Sequence, residues 1–281
     1  MHMLKKIFIL TAAMIMSLPL LQAKDDEGND GLKVMSYNIR LGSAQDGTNS
    51  WGLRYTATEE MLKDQKPDVF GVQEALEYQV RYIEDMCGYE SVGVGRENGK
   101  KEGEYMSIFW NKKTVSMLKW GTFWLSETPQ KPSRGWDAAC FRTATWALMK
   151  DKATGDKFYF INTHLDHQGV QAQKNGLKLI MDKIAEINDD GYPVVLVGDF
   201  NMEPSNPNLA DLDASMQSAR NIAEQTDSHA TYNGWGKSNT MIDYIYVSGF
   251  SSCPEYQTVT KRYADRKFVS DHYPICARLI F

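Results

Sequence analysis

Surplus positive charge, cysteine clusters, repeats and linkers are all scarce in this 281-residue chain. Its 31 lysines and arginines stand against 36 aspartates and glutamates, a formal net charge of −5. A strongly basic nucleic-acid footprint is therefore missing, which argues against nonspecific duplex binding unless a metal ion brings positive charge to a phosphate. The four cysteines (Cys87, Cys140, Cys253 and Cys276) never fall into a C-x-x-C spacing, so no local thiolate metal motif exists. A core of this size needs no disulfides, although an exported chain could form them, so free thiols and one or two bridges both stay open. No internal repeat and no Gly/Ser- or Pro-rich stretch divides the chain. No long apolar loop or basic amphipathic helix advertises membrane docking. What is present is ordinary for a folded protein, 42% hydrophobic and 24% charged, which excludes disordered and collagen-like classes.

The one long apolar run lies at the N-terminus. Lys5 and Lys6 precede Ile7 to Leu21, interrupted by Ser17 and Pro19, and Ala23 stands before a polar stretch. This pattern predicts a secretory signal peptide over residues 1–23, followed by a flexible segment, 24–30, and one domain, 31–281. The run is shorter than the roughly 20 residues of a membrane span, so stable membrane insertion is not expected. Export to the periplasm or beyond follows. The mature chain then carries 29 basic and 36 acidic side chains, a net of −7.

Along the domain, Gly31 to Ile39 reads as a strand with apolar residues in both alternating sets, hence covered on both faces. Trp51 to Lys66 reads as a helix with Leu53, Ala57, Met61 and Leu62 on its apolar stripe, ended by Pro67. A strand over 68–73 and a helix over 76–86 follow. Strands are predicted over 89–94, 105–110, 114–125, 143–149 and 157–163 from β-branched and aromatic content between turn signals. A helix over 168–188 and strands over 193–198, 242–247, 252–261 and 274–279 complete the pattern. Helices alternating with mixed strands in both halves predict an α/β fold, a four-layer α/β/β/α sandwich of two packed mixed sheets flanked by helices.

Several of these strands end in polar side chains: Asn38, Glu74, His164, and Asp199 with Asn201. Asp271 and His272 immediately precede the last strand. Polar groups at the mouth of a sheet commonly form a ligand site. Each alone has a plainer reading: an Asn as a turn residue, a Glu at a helix N-terminus, Gly-Asp-Phe-Asn as an Asx turn.

Taken together, seven segments resemble the endonuclease/exonuclease/phosphatase superfamily, in its order. They are Ser36-Tyr37-Asn38-Ile39-Arg40, Val72-Gln73-Glu74, Glu104-Tyr105-Met106-Ser107-Ile108-Phe109, Asn162-Thr163-His164-Leu165, Gly198-Asp199-Phe200-Asn201, Ile242-Asp243-Tyr244-Ile245 and Ser270-Asp271-His272-Tyr273-Pro274. The resemblance implies a phosphoric ester hydrolase dependent on Mg2+, with Mn2+ as a substitute. Glu74 is the implied primary ligand, with Asn38 and Asp271 completing a sparse oxygen shell of the kind magnesium accepts. Asp199 is implied to orient and deprotonate the attacking water, with Asn201 holding water or a phosphate oxygen. His164 is implied to donate to a phosphate oxygen, and Asp243–His272 to act as a carboxylate–imidazole dyad. Arg40, Tyr105 and Arg142 are candidates for substrate binding, and Glu104 for support.

Two stretches depart from the better-known branches and resemble a bacterial exported subgroup. After Thr163-His164-Leu165 comes Asp166-His167-Gln168-Gly169, where His167 is expected to cap the long helix rather than to meet substrate. In the other, Trp124 is expected in the core, while Trp136 is open between packing and ring stacking. The expected partner is a phosphorylated substrate and the expected state a monomer. A small soluble phosphoester is slightly favoured over nucleic acid, with a nuclease or a non-catalytic binding protein on the same scaffold as alternatives. No expected catalytic residue is missing.

Overall fold

A computed structural model describes residues 31–281, so the signal-peptide reading of 1–23 and the segment 24–30 lie outside the described residues. Two six-stranded sheets pack face to face. The first has the strand order β11-β12-β1-β2-β4-β3 and the second β5-β6-β7-β8-β10-β9. Each is built on a parallel strand pair joined through a helix. In the first sheet β1 (Leu32–Asn38), α1 (Trp51–Gln65) and β2 (Val69–Gln73) form the unit. In the second β7 (Lys157–His164), α3 (Val170–Ile187) and β8 (Val194–Asp199) do. Antiparallel strands extend both: β3 (Glu90–Val92), β4 (Ile108–Trp110), β11 (Ser252–Thr258) and β12 (Ile275–Ile280) in the first. In the second they are β5 (Val115–Trp124), β6 (Thr143–Asp151), the two-residue β9 (Gln217–Ser218) and β10 (Asp243–Ser248). Helix α2 (Glu77–Cys87) covers the first sheet beside α1, and short helices α4 (Ala210–Ser215) and α5 (Ala219–Ile222) belong to the second half.

Three apolar layers result. Val34, Val69, Phe158, Phe160, Val195, Val197 and Ile245 meet between the sheets. Met35, Tyr37, Phe70 and Val72 pack against Ala57, Met61, Leu62, Val80 and Ile83 of α1 and α2. Ile161 and Leu196 pack against Leu177 and Ile180 of α3. Both alternating sets of each central strand are thus buried, as their composition requires.

The gap between the sheets is not wholly apolar. Asn162 of β7 donates from Nδ2 to the carbonyls of Val72 (2.7 Å) and Ser107 (2.9 Å) in the opposite sheet. Its Oδ1 accepts from Gln73 Nε2 at 2.7 Å, and that amide also reaches Ser36 Oγ at 3.2 Å. The approach requires a glycine opposite: a Cβ at Gly71 would lie 2.5 Å from Asn162 Cγ.

Helix α1 differs from expectation on its buried face. Leu53 is 51% exposed, whereas Arg54 is 1% exposed. The burial is tolerated because Arg54 donates to the carbonyls of Asn49, Val269 and Arg40, with its guanidinium over the rings of Trp51 and Trp235. Strands β3, β4 and β11 are shorter than predicted. Residues 105–107 precede β4, with Tyr105 making only isolated bridges to Ala75 and Gly95, and 259–261 follow the end of β11. All four cysteines are free thiols.

Replacing Asn162 by Ala removes three hydrogen bonds between the sheets. The Ser107 carbonyl keeps the Val72 N–H and the Gln73 amide keeps Ser36 Oγ, so the cost is that of lost buried bonds, at about 0.5–1.5 kcal/mol each. Urea unfolding is expected to show a loss of about 2–4 kcal/mol for this variant; a loss below about 0.5 kcal/mol would contradict the clamp.

Candidate active site

Strand parity decides which side chains enter the cleft. With period two, residues 32, 34, 36 and 38 of β1 face the opposite sheet, as do 158, 160, 162 and 164 of β7 and 195, 197 and 199 of β8. The first members of each row are apolar and the last is polar, so the core between the sheets opens at one end into a polar mouth. Register brings the row ends together. His164 is paired with Asp199 and Asp243 with Asp199 across adjacent strands, while Asn38 is paired with Gln73, one residue before Glu74. Gly198 permits the tight fit of β8 on β7, since a Cβ there would sit 2.1 Å from the Thr163 carbonyl oxygen.

Asp199 is the hub. Its Oδ2 accepts from Asn38 Nδ2 at 3.0 Å and lies 3.5 Å from His164 Nε2 and 3.6 Å from His272 Nε2, while Oδ1 accepts from the Asn201 N–H at 2.9 Å. Burial, then the charge of Asp243, raises the pKa of its carboxyl, with His272 pulling the other way. His272 Nδ1 donates to Asp243 Oδ2 at 2.8 Å. Burial alone would depress this imidazole, but Asp243 and Asp199 outweigh it and push its pKa up to about 10. His164 is the reverse case. Burial, reinforced by the charges of Arg142 and Arg96, lowers its pKa well below the ordinary value. Asn201 Nδ2 donates to His164 Nε2 at 3.0 Å and to the Leu165 carbonyl at 3.0 Å, so the ring presents a lone pair there. The network thus assigns the ring proton to Nδ1, which is buried without a partner. Donation from His164 to a phosphate oxygen, the expected role, is not available in this arrangement without a second ring proton.

Glu74 follows β2 with φ +64°, and Arg40 (+64°) and Asn201 (+52°) share that left-handed conformation. Such conformations in residues other than glycine gather at functional sites. Burial would raise Glu74, but the hydrogen bonds from Asn38 (3.0 Å) and the Leu41 N–H (2.9 Å), with the charges of His272 and Arg40, lower its pKa. Arg40 pairs with Asp46 through two bonds of 3.0 and 3.1 Å, and lies 3.6 Å from Asp271 Oδ2 and 4.0 Å from Glu74 Oε2. Glu74 and Asp271 therefore share one guanidinium and are neighbours. Burial raises Asp271, and Glu74's charge adds to it against His272 and Arg40. Four carboxylates, Glu74, Asp199, Asp243 and Asp271, crowd together with fewer protein cations than negative charges. Glu74, His164 and Asp199 each offer a ligand atom within 4.8 Å of one another. That donor set fits a hard divalent cation. The Asn38 amide, as placed, turns its nitrogen toward Glu74 and Asp199 and its oxygen toward the Arg40 N–H. Serving as an oxygen ligand would require it to turn over.

Glu74, His164, Asp199, Asp271 and His272 line one cleft of about 500 Å³, together with Arg96, Glu104, Cys140, Arg142, His167 and Tyr232. Glu104 forms a two-bond pair with Arg96, both at 2.8 Å, rather than reaching His164. Arg142 donates from Nε to Asp166 (3.2 Å) and from Nη2 to His167 Nδ1 (3.0 Å). Helix α3 is capped by Asp137, which accepts from the Gln171 and Ala172 N–H groups, and its approach by Asp166. His167 does not cap it, contrary to expectation. Cys140, Asp166 and His167 also cluster at ligand distance, but Arg142 already serves as their cation. Tyr105, expected at the substrate, is buried. Its hydroxyl donates to the Lys100 carbonyl and so props the loop carrying Arg96 and Glu104. Trp124 is buried and its indole donates to the Arg96 carbonyl at 2.7 Å, a packing role. Trp136 is half-buried, and its backbone N–H donates to the Glu127 carboxylate.

Sequence reasoning missed Arg96 as a cleft residue, Tyr232, whose ring lies 4.8 Å from that of His272, and Gln79, which bonds Gly42 N–H and the Arg40 carbonyl. None sits at a strand end, the signal that exposed the others.

A sequence profile of the Endonuclease/Exonuclease/phosphatase family matches residues 35–272. A mannosyl-6-phosphatase of Bacteroides thetaiotaomicron superimposes with a TM-score of 0.85 at 32% identity, over 89% of this chain and all of that one. A protein of the same family from Bacteroides vulgatus gives 0.84 at 33%, over 89% and 98%. TDP2 of D. rerio with a single-strand DNA product shares the fold at 18% identity, with a TM-score of 0.71 over 89% and 99%. An uncharacterized protein, L388, of Acanthamoeba polyphaga mimivirus is 22% identical over 268 residues, 87% of this chain and 98% of its own.

The two imidazoles should titrate in opposite senses in the metal-free protein. NMR is expected to find His272 cationic through pH 8 and His164 still neutral where an ordinary imidazole has become protonated. Because the folded value of His272 is raised, the stability drawn from its pairing with Asp243 is fully present below about pH 6.5 and is lost as pH climbs toward its raised value. A neutral His272 at pH 7 would overturn this arrangement.

Proposed function

The chain belongs to the Endonuclease/Exonuclease/phosphatase family, and from that premise we propose that it is a divalent-metal-dependent phosphoesterase acting on a small, soluble phosphoester. The observation that carries the reading is Asp199. It is a buried carboxylate of raised pKa, within 3.6 Å of two imidazoles of opposite charge preference and beside the Glu74–Asp271 pair.

Glu74 and Asp271, with Asn38 after its amide turns, would hold the ion, Mg2+ in the first instance. When bound, such an ion neutralises phosphate charge and stabilises the leaving oxygen. Asp199, with a carboxyl raised toward neutrality, orients water and accepts its proton. His272, kept cationic by Asp243, donates to a phosphate oxygen as negative charge builds. His164 is neutral in the free site, and an anionic phosphate alongside would favour its second proton, converting it to a donor only when substrate is present. Asn201 fixes its ring. Arg40 meets phosphate oxygens, while Arg142, held by Asp166, lines the cleft beside the Arg96–Glu104 pair.

The small-substrate reading draws on the acidic chain, net −7 once residues 1–23 are removed. It draws also on a cleft of about 500 Å³, suited to a small molecule, and on the mannosyl-6-phosphatase among its structural relatives. Removal of 1–23 on export remains part of the proposal. Among the described residues, no helix is long and apolar enough to cross a membrane.

Purified protein should hydrolyse p-nitrophenyl phosphate with Mg2+ or Mn2+ and lose the activity in EDTA, leaving supercoiled plasmid largely intact. Turnover in EDTA equal to that with metal, or efficient nicking of plasmid, would contradict the reading. Glu74→Gln is expected to weaken metal affinity and activity with the fold kept; an unaltered metal titration would remove Glu74 from the site. His272→Ala is expected to lower turnover by roughly 100-fold, and near-wild-type rates would count against its role.

A further inference from the structure

One wall of the cleft carries charge that cancels within itself. Arg96 is matched by Glu104 through two bonds of 2.8 Å. Arg142 is matched by Asp166, whose carboxylate also accepts the N–H groups of Ala139, Gln168 and Gly169. Burial opposes that ionisation, but the three N–H donors and Arg142 outweigh it and hold the Asp166 carboxyl below the usual range. Arg142 can only donate, so His167 Nδ1 must accept at 3.0 Å. A hydrogen there would meet the guanidinium, so the ring carries its hydrogen on Nε2. His167 is exposed and lines the cleft, so that N–H is presented toward a bound molecule. Asp166 fixes Arg142, which bonds His167, and the Trp124 indole donates to the Arg96 carbonyl at 2.7 Å.

A wall of this kind is rich in hydrogen-bonding groups and poor in net charge. A second phosphate, or a nucleic-acid backbone, gains from uncompensated arginines; here each arginine already has its own carboxylate. Paired donors and acceptors at fixed positions suit neighbouring hydroxyl groups instead, which both give and accept hydrogen bonds.

Resting on the phosphoesterase reading above, we propose that His167, Arg142, Arg96 and Glu104 form a subsite for the polyhydroxylated leaving group of the substrate, making it a sugar phosphate. The His167 Nε2–H is the specificity-determining donor and Glu104 the acceptor, with Asp166 positioning Arg142.

The test compares mannose 6-phosphate with p-nitrophenyl phosphate, which lacks hydroxyls, in wild type, His167→Ala, His167→Gln and Glu104→Gln. His167→Ala should lower kcat/KM for the sugar phosphate at least tenfold more than for the aryl phosphate, acting mainly on KM, and His167→Gln should restore part of the loss by keeping a donor. His167 is exposed, so this pair stays informative if Glu104→Gln fails to fold. In parallel, calorimetry on the full chain should show mannose 6-phosphate binding at least tenfold tighter than inorganic phosphate, a ratio that falls toward one in His167→Ala. Both esters hydrolysed with the two ratios unmoved by His167→Ala would overturn the subsite and leave the phosphoesterase reading standing. Sugar-dependent binding that needs His167 without hydrolysis of either ester would uphold the subsite and overturn the hydrolytic reading. Neither hydrolysis nor a binding preference for the sugar phosphate overturns both.

Discussion

Asn162 ties the two sheets together at the depth where the core turns from apolar to polar. One amide bonds two carbonyls and one side chain of the facing sheet, and it can do so only because Gly71 opposite has no side chain. Below it, Phe160, Val195 and Val34 fill the gap. Above it, the same rows of the same strands present Asn38, His164, Asp199 and Asp243. Sheet spacing and register are thus set next to the groups that need them, and three strand ends of one sheet meet two of the other within hydrogen-bond reach.

Electrostatics then sort these groups into roles. Four carboxylates share a small volume, and their mutual repulsion is visible in the opposite directions they take. Glu74 is held ionised by donors, while Asp199 and Asp271 are pushed up by burial and by each other's neighbours. The imidazoles divide likewise, His272 toward the cation and His164 toward the neutral ring. Pairs of titratable groups driven apart in this way are what acid–base chemistry near neutral pH requires. Arg54 extends the same economy outward. By bonding the carbonyls of Arg40, Asn49 and Val269 it fixes the loop that carries Arg40 and the segment leading to Asp271 and His272.

Much of this was legible in the residues. Strands ending in polar side chains marked Asn38, Glu74, His164 and Asp199, because a polar group where a strand emerges from the core is well placed to meet a ligand. The four-layer arrangement followed from strands apolar on both faces alternating with helices. Other features were not legible because they depend on partners distant in the chain. Leu53 is expected on the apolar stripe of α1, but three carbonyls, of residues 40, 49 and 269, draw Arg54 inward and leave Leu53 outside. His167 stood where a helix cap was expected, but Asp137, some thirty residues away, takes that place. Arg96 and Tyr232 come from irregular loops, where periodicity carries no information.

In the proposed reaction Glu74, which follows β2, and Asp271, which precedes β12, face one divalent ion. Manganese bound to crystals of the protein would test it through anomalous scattering. A single peak within ligand distance of both carboxylates, lost on chelation, is expected. A peak elsewhere, or separate ions on Glu74 and Asp271, would contradict it.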